Sequence, residues 1–163
     1  MRKSKFVNFV TKFIKEDSLT VANIGCGNTN VNKNHRIDTY ELIKRWQNVT
    51  EVDKLINFPA EEAVKTTPPT LSYMRFFVHV IDDKVLQDIL TWSDKWVAIE
   101  VRSDKNMNEY KTFNHPRYYR SSEKLLKMIM DSGFEIKYFV ENQGLAKFKK
   151  EDPTIIRIIA KRK

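Results

Sequence analysis

The sequence predicts a three-layer α/β/α fold around a mostly parallel sheet whose last strand is antiparallel. Apolar, β-branched segments alternate with amphipathic helical segments along the chain, the pattern of a parallel sheet covered by helices. The last two apolar segments follow each other without a helix between them, which predicts a hairpin-like connection. The 163 residues suffice for one hydrophobic core but not for two, so we expect residues 1–163 to form a single domain.

Each element is predicted from its own periodicity. Strands are predicted at Leu19–Ile24, Arg36–Tyr40, Glu51–Ile56, Leu71–Val78, Trp96–Val101, Phe134–Val140 and Ile155–Ile159. Helices are predicted over Phe6–Ile14, in a single turn over 41–46, through Val85 and Leu90 behind Asp82 as N-cap, and through Leu125 and Ile129 between Ser121 as N-cap and Gly133 as C-cap. Residues 29–35 are too few and too rich in asparagine for a full helix before the second strand, and residues 103–117 form a long polar loop.

The overall charge restricts the choice of partners. Lys and Arg number 29 and Asp and Glu 21, for a net charge of +8, which favours anionic partners or simple solubility. The basic residues are scattered, whereas phosphate backbones require a contiguous basic face, so a nucleic-acid partner is disfavoured. Cys26 is the only cysteine, so no internal disulfide forms, and no apolar run reaches the roughly 20 residues of a membrane span. We therefore expect a cytoplasmic protein.

A glycine-containing loop follows the first predicted strand. Ligands of open α/β sheets bind beyond the carboxyl ends of the strands, where glycine lets the backbone approach them. This layout predicts a cofactor site at Asn23, Gly25, Cys26, Gly27 and Asn28. The third glycine of the dinucleotide fingerprint is missing, so a cofactor without a pyrophosphate fits better and a nicotinamide dehydrogenase is disfavoured. The alternative for the two glycines is a plain tight turn.

Two carboxylates are candidates for binding an adenosine group. Asp38 ends the predicted second strand, where a carboxylate can accept hydrogen bonds from both ribose hydroxyls. Asp53 lies on the predicted third strand, near the adenine edge. Alone, Asp38 would be read as a solvated strand end. Its position after the glycine loop favours the ligand.

Several segments carry a family resemblance. Ile24–Asn28 followed by Arg36–Asp38 resembles the cofactor site of class I S-adenosylmethionine-dependent methyltransferases. Tyr73–Ile81 resembles the fourth-strand motif of methyltransferases associated with capsule and surface-polysaccharide synthesis, and four later segments are similar to the same group: Ile99–Ser103, Gly133–Ile136, Gly144–Ala146 and Glu151–Pro153. The resemblance implies S-adenosylmethionine as cofactor and a glycan hydroxyl as methyl acceptor. It also implies an association with glycosyltransferase domains, from which this chain could be an excised piece.

The catalytic candidates lie after the fourth and fifth predicted strands. Methyl transfer to a hydroxyl needs a base, and His79 is the best candidate because a neutral imidazole is available near neutral pH. The alternative is a histidine that bonds locally at the strand end. Glu100 and Arg102 are further catalytic candidates, although a salt bridge between Arg102 and a neighbouring carboxylate is an equally simple role. Arg75 and Phe76 are expected to contact the cofactor or shape the pocket floor.

The long polar loop holds the substrate and metal candidates. Arg117, Tyr118 and Tyr119, with His115, are predicted to bind substrate, because tyrosine rings pack on sugar faces and arginine bonds hydroxyls. The alternative is that the tyrosines pack on the next helix. Asp104 and His115 are weak candidates for a divalent cation, since their spacing matches no metal signature. Two other functions stay open: an RNA methyltransferase, and a non-catalytic scaffold that binds the cofactor or nothing.

Overall fold

In the part of the chain that the structure describes, a six-stranded sheet with two helices on each face forms the core. The structure, a computed structural model, describes residues 5–25, 33–52, 67–105, 107, 117–147 and 149–163. The helices are α1 (Lys5–Phe13), α2 (Lys33–Trp46), α3 (Asp83–Trp92) and α4 (Ser122–Asp131). The strands are β1 (Thr20–Ile24), β2 (Asn48–Val52), β3 (Leu71–Arg75), β4 (Trp96–Arg102), β5 (Phe134–Asn142) and β6 (Ile155–Arg162).

The strand order is β2-β1-β3-β4-β6-β5. Strands β2, β1, β3 and β4 pair in parallel, whereas β6 is antiparallel to both β4 and β5. The mostly parallel sheet with an antiparallel last strand is therefore confirmed. The chain leaves β1 toward β2 on one side and returns to β3 on the other, so the order reverses between β1 and β3. Such a switch point opens a crevice at the carboxyl ends of the two strands.

Alternate residues of each strand face two separate hydrophobic cores. One face carries α1 and α2, with Phe6 and Leu42 packed in the same core as Tyr73. The other face carries α3 and α4, with Leu86 and Ile129 in the same core as neighbouring strand residues. The amphipathic helices predicted around residues 6–14, 85–90 and 125–129 are confirmed in this three-layer arrangement.

The predicted second strand, Arg36–Tyr40, is wrong. These residues belong to α2, which buries Asp38, Leu42 and Trp46 at helical spacing against the sheet. The second strand is β2, which begins at Asn48, before the predicted third strand at 51–56. Residues 53–56 lie outside the described residues. Helix α2 also supplies a crossover between β1 and β2, so the prediction that no full helix separates the glycine loop from the second strand is wrong as well.

The elements after β2 follow the predicted order with one change. Strand β3 ends at Arg75, three residues early, because Phe76 adopts a left-handed backbone with φ 52°, and a 3-10 turn follows at Val78–Val80. Asp82 caps α3 by accepting a hydrogen bond from the Val85 amide at 2.9 Å, and Ser121 caps α4, both as predicted. In the described part of the chain, no helix has the length and apolarity to cross a bilayer.

Candidate functional site

Gly25 lies at the switch point, directly after β1. Its φ of 75° is left-handed, and its amide donates to the Val52 carbonyl at 2.9 Å, which joins the ends of β1 and β2. A Cβ at this position would lie 2.5 Å from Cγ and 2.7 Å from Cβ of Phe77. Gly25 is therefore needed for the close approach of Phe77, a reason that the sequence did not reveal. The other loop candidates, Cys26, Gly27 and Asn28, lie outside the described residues.

Asn23, another cofactor candidate, is buried in β1 two residues before Gly25. Its Nδ2 donates to Thr39 Oγ1 of α2 at 2.8 Å. The side chain thus links α2 to the carboxyl end of β1, and this described hydrogen bond stabilises the fold.

A chain of buried charges lies between α2 and the sheet. Asp38 Oδ2 accepts hydrogen bonds from Tyr73 Oη at 3.0 Å and from Arg75 Nη1 at 3.3 Å. Arg75 Nε donates to Glu100 Oε1 at 3.1 Å, and Glu100 Oε2 accepts from Arg157 Nε at 2.5 Å. Two carboxylates thus alternate with two guanidinium groups, and their formal charges sum to zero.

The ionised form of Asp38 is costly in this setting. The carboxyl is completely buried, and this burial raises its pKa to about 6, although Arg75 and the Tyr73 hydroxyl act in the opposite direction. Burial also raises the pKa of Tyr73 well above its ordinary value, and the adjacent Asp38 carboxylate adds to the effect. Asp38 Oδ1 has no hydrogen-bond partner among the described residues.

Arg75 and Phe76 form the edge of the crevice at the end of β3. The Phe76 amide donates to the Glu100 carbonyl at 2.7 Å, and the Arg75 guanidinium lies 5.1 Å from the centroid of the Phe76 ring. The structure therefore brings both predicted residues to the switch point, beside Gly25 and Phe77. There the Arg75 guanidinium forms hydrogen bonds with both carboxylates, Asp38 and Glu100.

His79 lies in the 3-10 turn after β3 and is 8% exposed. Its ring stacks on Tyr119 with centroids 5.5 Å apart and an interplanar angle of 25°. The His79 carbonyl accepts a hydrogen bond from the Tyr118 amide at 2.7 Å. The predicted base and two of the predicted substrate residues, far apart in sequence, therefore come together.

Arg120 joins the segment with Tyr118 and Tyr119 to the turn with His79, a role that was not predicted from the sequence. Its guanidinium donates to the carbonyls of Val78 and Ile81, each at 2.8 Å, and to Asp83 Oδ1 at 2.7 Å. The side chain is 5% exposed. Arg120 therefore clamps residues 117–120 onto the turn that carries His79. Its partners lie about forty residues away, so local spacing carries no signal for this role.

Next to the clamp is an open cleft of about 550 Å³. Its walls come from the start of α3, the segment before α4 and α4 itself: Asp82, Asp83, Lys84, Met107, Arg117, Tyr118, Tyr119, Arg120 and Lys124. Three of the predicted substrate residues, Arg117, Tyr118 and Tyr119, thus line one cavity. Asp83 pairs with both Arg120 and Lys124 at 2.7 Å. His115 lies outside the described residues.

The remaining catalytic and metal candidates do not converge on this cleft. Glu100 is buried between two arginines, as described above. Arg102 forms a salt bridge with Glu151 at 3.4 Å, the alternative that the sequence had offered. Among the described residues, no group of three His, Cys, Asp or Glu side chains could hold a metal ion, and Asp104 therefore has no described companions for that purpose.

Comparison with known proteins shows which solved structures share this fold. No protein-family model matches the sequence, and no curated protein matches it. Among solved structures, an S-adenosylmethionine-dependent methyltransferase from Clostridium acetobutylicum is similar with a TM-score of 0.65 at 12% identity, covering 99% of this chain and 92% of that one. Magnesium protoporphyrin IX methyltransferase from Synechocystis, with bound S-adenosylmethionine, has a TM-score of 0.59 at 11% identity, covering 98% and 79%.

A third neighbour has a different substrate. The 1,6-didemethyltoxoflavin-N1-methyltransferase from Burkholderia thailandensis, with bound S-adenosylhomocysteine, has a TM-score of 0.59 at 10% identity, covering 98% of this chain and 79% of that one. Identities this low establish the fold alone. The chain has the Rossmann-like fold of class I S-adenosylmethionine-dependent methyltransferases.

Proposed function

We propose that the protein is an S-adenosylmethionine-dependent methyltransferase with its cofactor in the crevice at the carboxyl ends of β1, β2 and β3. The observation that carries the proposal is the switch point between β1 and β3, with the left-handed Gly25 at its base. Solved proteins of the same fold hold S-adenosylmethionine or S-adenosylhomocysteine. When bound, the cofactor would supply a methyl group on a sulfonium, which passes to the acceptor atom as the carbon–sulfur bond breaks and leaves S-adenosylhomocysteine.

The residues around the crevice fit such a cofactor. Gly25 has a left-handed backbone at the end of β1, and Cys26, Gly27 and Asn28 follow it in the sequence. Asp53 directly follows β2 in the sequence, the strand end from which a carboxylate bonds both ribose hydroxyls. We assign the ribose role to Asp53, because Asp38 lies in α2 and not at the end of a strand. Arg75 and Phe76 shape the crevice floor.

We assign the base to His79. It follows β3 at the crevice edge, and Tyr119 and the Arg120 clamp fix its orientation. A neutral imidazole there would accept the proton of the acceptor hydroxyl as the methyl group is transferred. Tyr119 stacks on the ring, and His79 is largely buried. No described metal site competes for this role.

For the acceptor we propose a sugar hydroxyl of a glycan. The adjacent cleft offers the rings of Tyr118 and Tyr119 for packing on sugar faces, and Arg117 for bonding hydroxyls. Of the four cations in its lining, Arg120 and Lys124 are paired with Asp83, and Lys84 is paired with Asp88. A polyanion such as RNA gains little from paired cations, so the cleft favours a neutral polar substrate.

Two measurements test the proposal. Titration calorimetry with S-adenosylmethionine should detect binding, and its absence would exclude a methyltransferase and support a scaffold. Methylation with labelled cofactor, run against panels of oligosaccharides and RNAs with and without chelator, should label an oligosaccharide. Labelling of RNA alone would overturn the glycan assignment.

The base is tested separately. His79→Ala should abolish turnover while leaving cofactor affinity nearly unchanged, because the side chain lies in the turn after β3 and not in the glycine loop. Tyr118→Phe, in the neighbouring cleft, is the control: it keeps the ring that packs on a sugar and should keep turnover. A fully active His79→Ala enzyme would remove His79 from the mechanism.

A further inference from the structure

The buried charge chain lies at the base of the crevice. Asn23 and Tyr73 are register partners in β1 and β3, and the next α2 residue after Asp38, Thr39, bonds Asn23. Asp38 therefore lies at the level where β1 and β3 end, on the face that α2 covers. Arg75, its ion-pair partner, is the last residue of β3. The charge state of Asp38 consequently acts on the same crevice in which we place the cofactor.

An uncharged residue at position 38 could accept the same local hydrogen bonds. The Tyr73 hydroxyl and the Arg75 guanidinium both donate to one oxygen, Asp38 Oδ2, and an asparagine side-chain oxygen could accept both. Complete burial disfavours the carboxylate, and its pKa of about 6 reflects that. Carboxylates held in unfavourable surroundings next to a cleft mark functional sites. The negative charge itself, and not only the hydrogen bonds, thus requires an explanation.

We propose that ionised Asp38 keeps the base of the crevice electrically neutral and thereby favours the sulfonium of S-adenosylmethionine over the neutral sulfur of S-adenosylhomocysteine. This inference rests on the proposed function. Asp38 is a positioning and charge-balancing residue in it, and no contact with the cofactor is required. Among the described residues, the groups that face Asp38 are Tyr73 and Arg75 on β3, with Glu100 on β4 behind Arg75 and Arg157 on β6 behind Glu100.

The physical reason is the net charge of the four linked side chains, Asp38, Arg75, Glu100 and Arg157. With Asp38 ionised, the two carboxylates balance Arg75 and Arg157. With Asp38 protonated, or replaced by asparagine, one positive charge remains at the base of the crevice. That charge repels a sulfonium but not a thioether. At a separation of about 10 Å and an effective dielectric constant of about 20, the repulsion weakens binding on the order of tenfold. Ionised Asp38 thus raises the affinity for S-adenosylmethionine relative to the affinity for its product, S-adenosylhomocysteine.

The experiment compares both cofactor forms by titration calorimetry at pH 7.5 in wild type, Asp38→Asn and Glu16→Gln. Glu16 is the matched control, because Gln also removes one negative charge but at the amino end of β4, where Glu16 bonds Lys95 and Trp96. Asp38→Asn should lower the affinity for S-adenosylmethionine about tenfold and the affinity for S-adenosylhomocysteine much less. Glu16→Gln should leave the ratio of the two affinities unchanged.

A pH titration of the wild type tests the same idea without a substitution. Between pH 7.5 and 5 the preference for S-adenosylmethionine should fall as Asp38 takes up its proton, and Asp38→Asn should show no such fall. If Asp38→Asn weakens both ligands equally, or neither, the inference is wrong while the proposed function stands. If the fall with pH persists in Asp38→Asn, another group causes it and the inference is again wrong. If the wild type binds neither ligand, the proposed function fails and the inference fails with it.

Discussion

Replacing Gly25 with alanine tests whether close packing at the switch point holds the end of β1. Gly25 and Gly144 both have left-handed backbones, with φ of 75° and 80°. An alanine Cβ at Gly25 would lie 2.5 Å from Cγ and 2.7 Å from Cβ of Phe77, whereas a Cβ at Gly144 would meet no atom within 4 Å. The two substitutions therefore share the conformational cost and differ in the steric one.

The expected magnitudes follow from these two costs. A non-glycine residue in the left-handed region costs about 1–2 kcal/mol, and the gain from a less flexible unfolded chain is common to both substitutions. At Gly25 the overlap with Phe77 must also be relieved. Phe77 is 5% exposed, and one of the clashing atoms is its Cβ, which moves only with the backbone. Overpacking of this kind costs about 1–3 kcal/mol. Gly25→Ala should therefore be less stable than Gly144→Ala by that amount.

Urea unfolding followed by circular dichroism measures the difference. Both variants should keep the m-value of the wild type, and the midpoint of Gly25→Ala should be the lower of the two. Gly25→Ala should also bind S-adenosylmethionine more weakly than the wild type, whereas Gly144→Ala should bind it with wild-type affinity. Equal midpoints for the two variants would refute the argument that Phe77 requires a glycine at position 25.

Three further predictions concern buried or capping polar groups. Because the pKa of Asp38 is raised to about 6, the folded state binds its proton more readily than the unfolded chain does. The wild type should therefore gain stability relative to Asp38→Asn, by about 1–2 kcal/mol, as the pH falls from 8 to 5. A flat difference in urea unfolding across that range would contradict the shift. Arg120→Met should lower the unfolding free energy by about 3 kcal/mol because it removes a buried guanidinium from two carbonyls and Asp83, while Lys124→Met, at the exposed partner of the same carboxylate, should cost under about 1 kcal/mol; equal losses would show that Arg120 is no clamp. Asp82→Ala should cost about 1 kcal/mol, since the cap of α3 is lost, and an unchanged thermal midpoint would exclude the capping role.

Much of the fold could be read from local patterns. The helix at the start of the chain, the buried first strand and the last strands have strong periodicities, and Asp82 and Ser121 cap their helices where the sequence predicted. These signals are local, because each depends on the spacing of a few neighbouring residues. The predicted order of strands and helices after residue 70 was correct for the same reason.

The segment around Asp38 shows where local patterns fail. Arg36–Tyr40 has the β-branched and aromatic residues of a short strand, but its buried residue Asp38 is followed by buried Leu42 and Trp46 at helical spacing. Burial of that stripe against the sheet decides in favour of a helix, which is a tertiary effect. The error placed Asp38 at the end of a strand, whereas the residue that follows the second strand is Asp53.

The sequence by itself determined the layered α/β fold, the glycine after the first strand, and the presence of His79 after the fourth predicted strand. Only the tertiary structure decided which groups meet: Phe77 against Gly25, Arg120 on the turn that carries His79, and Asp38 with Arg75, Glu100 and Arg157. The physical reason is the range of the interactions. Helix and strand periodicity depend on neighbours within a few residues, whereas close packing and buried ion pairs join residues that lie tens of positions apart and become neighbours only when the sheet has formed.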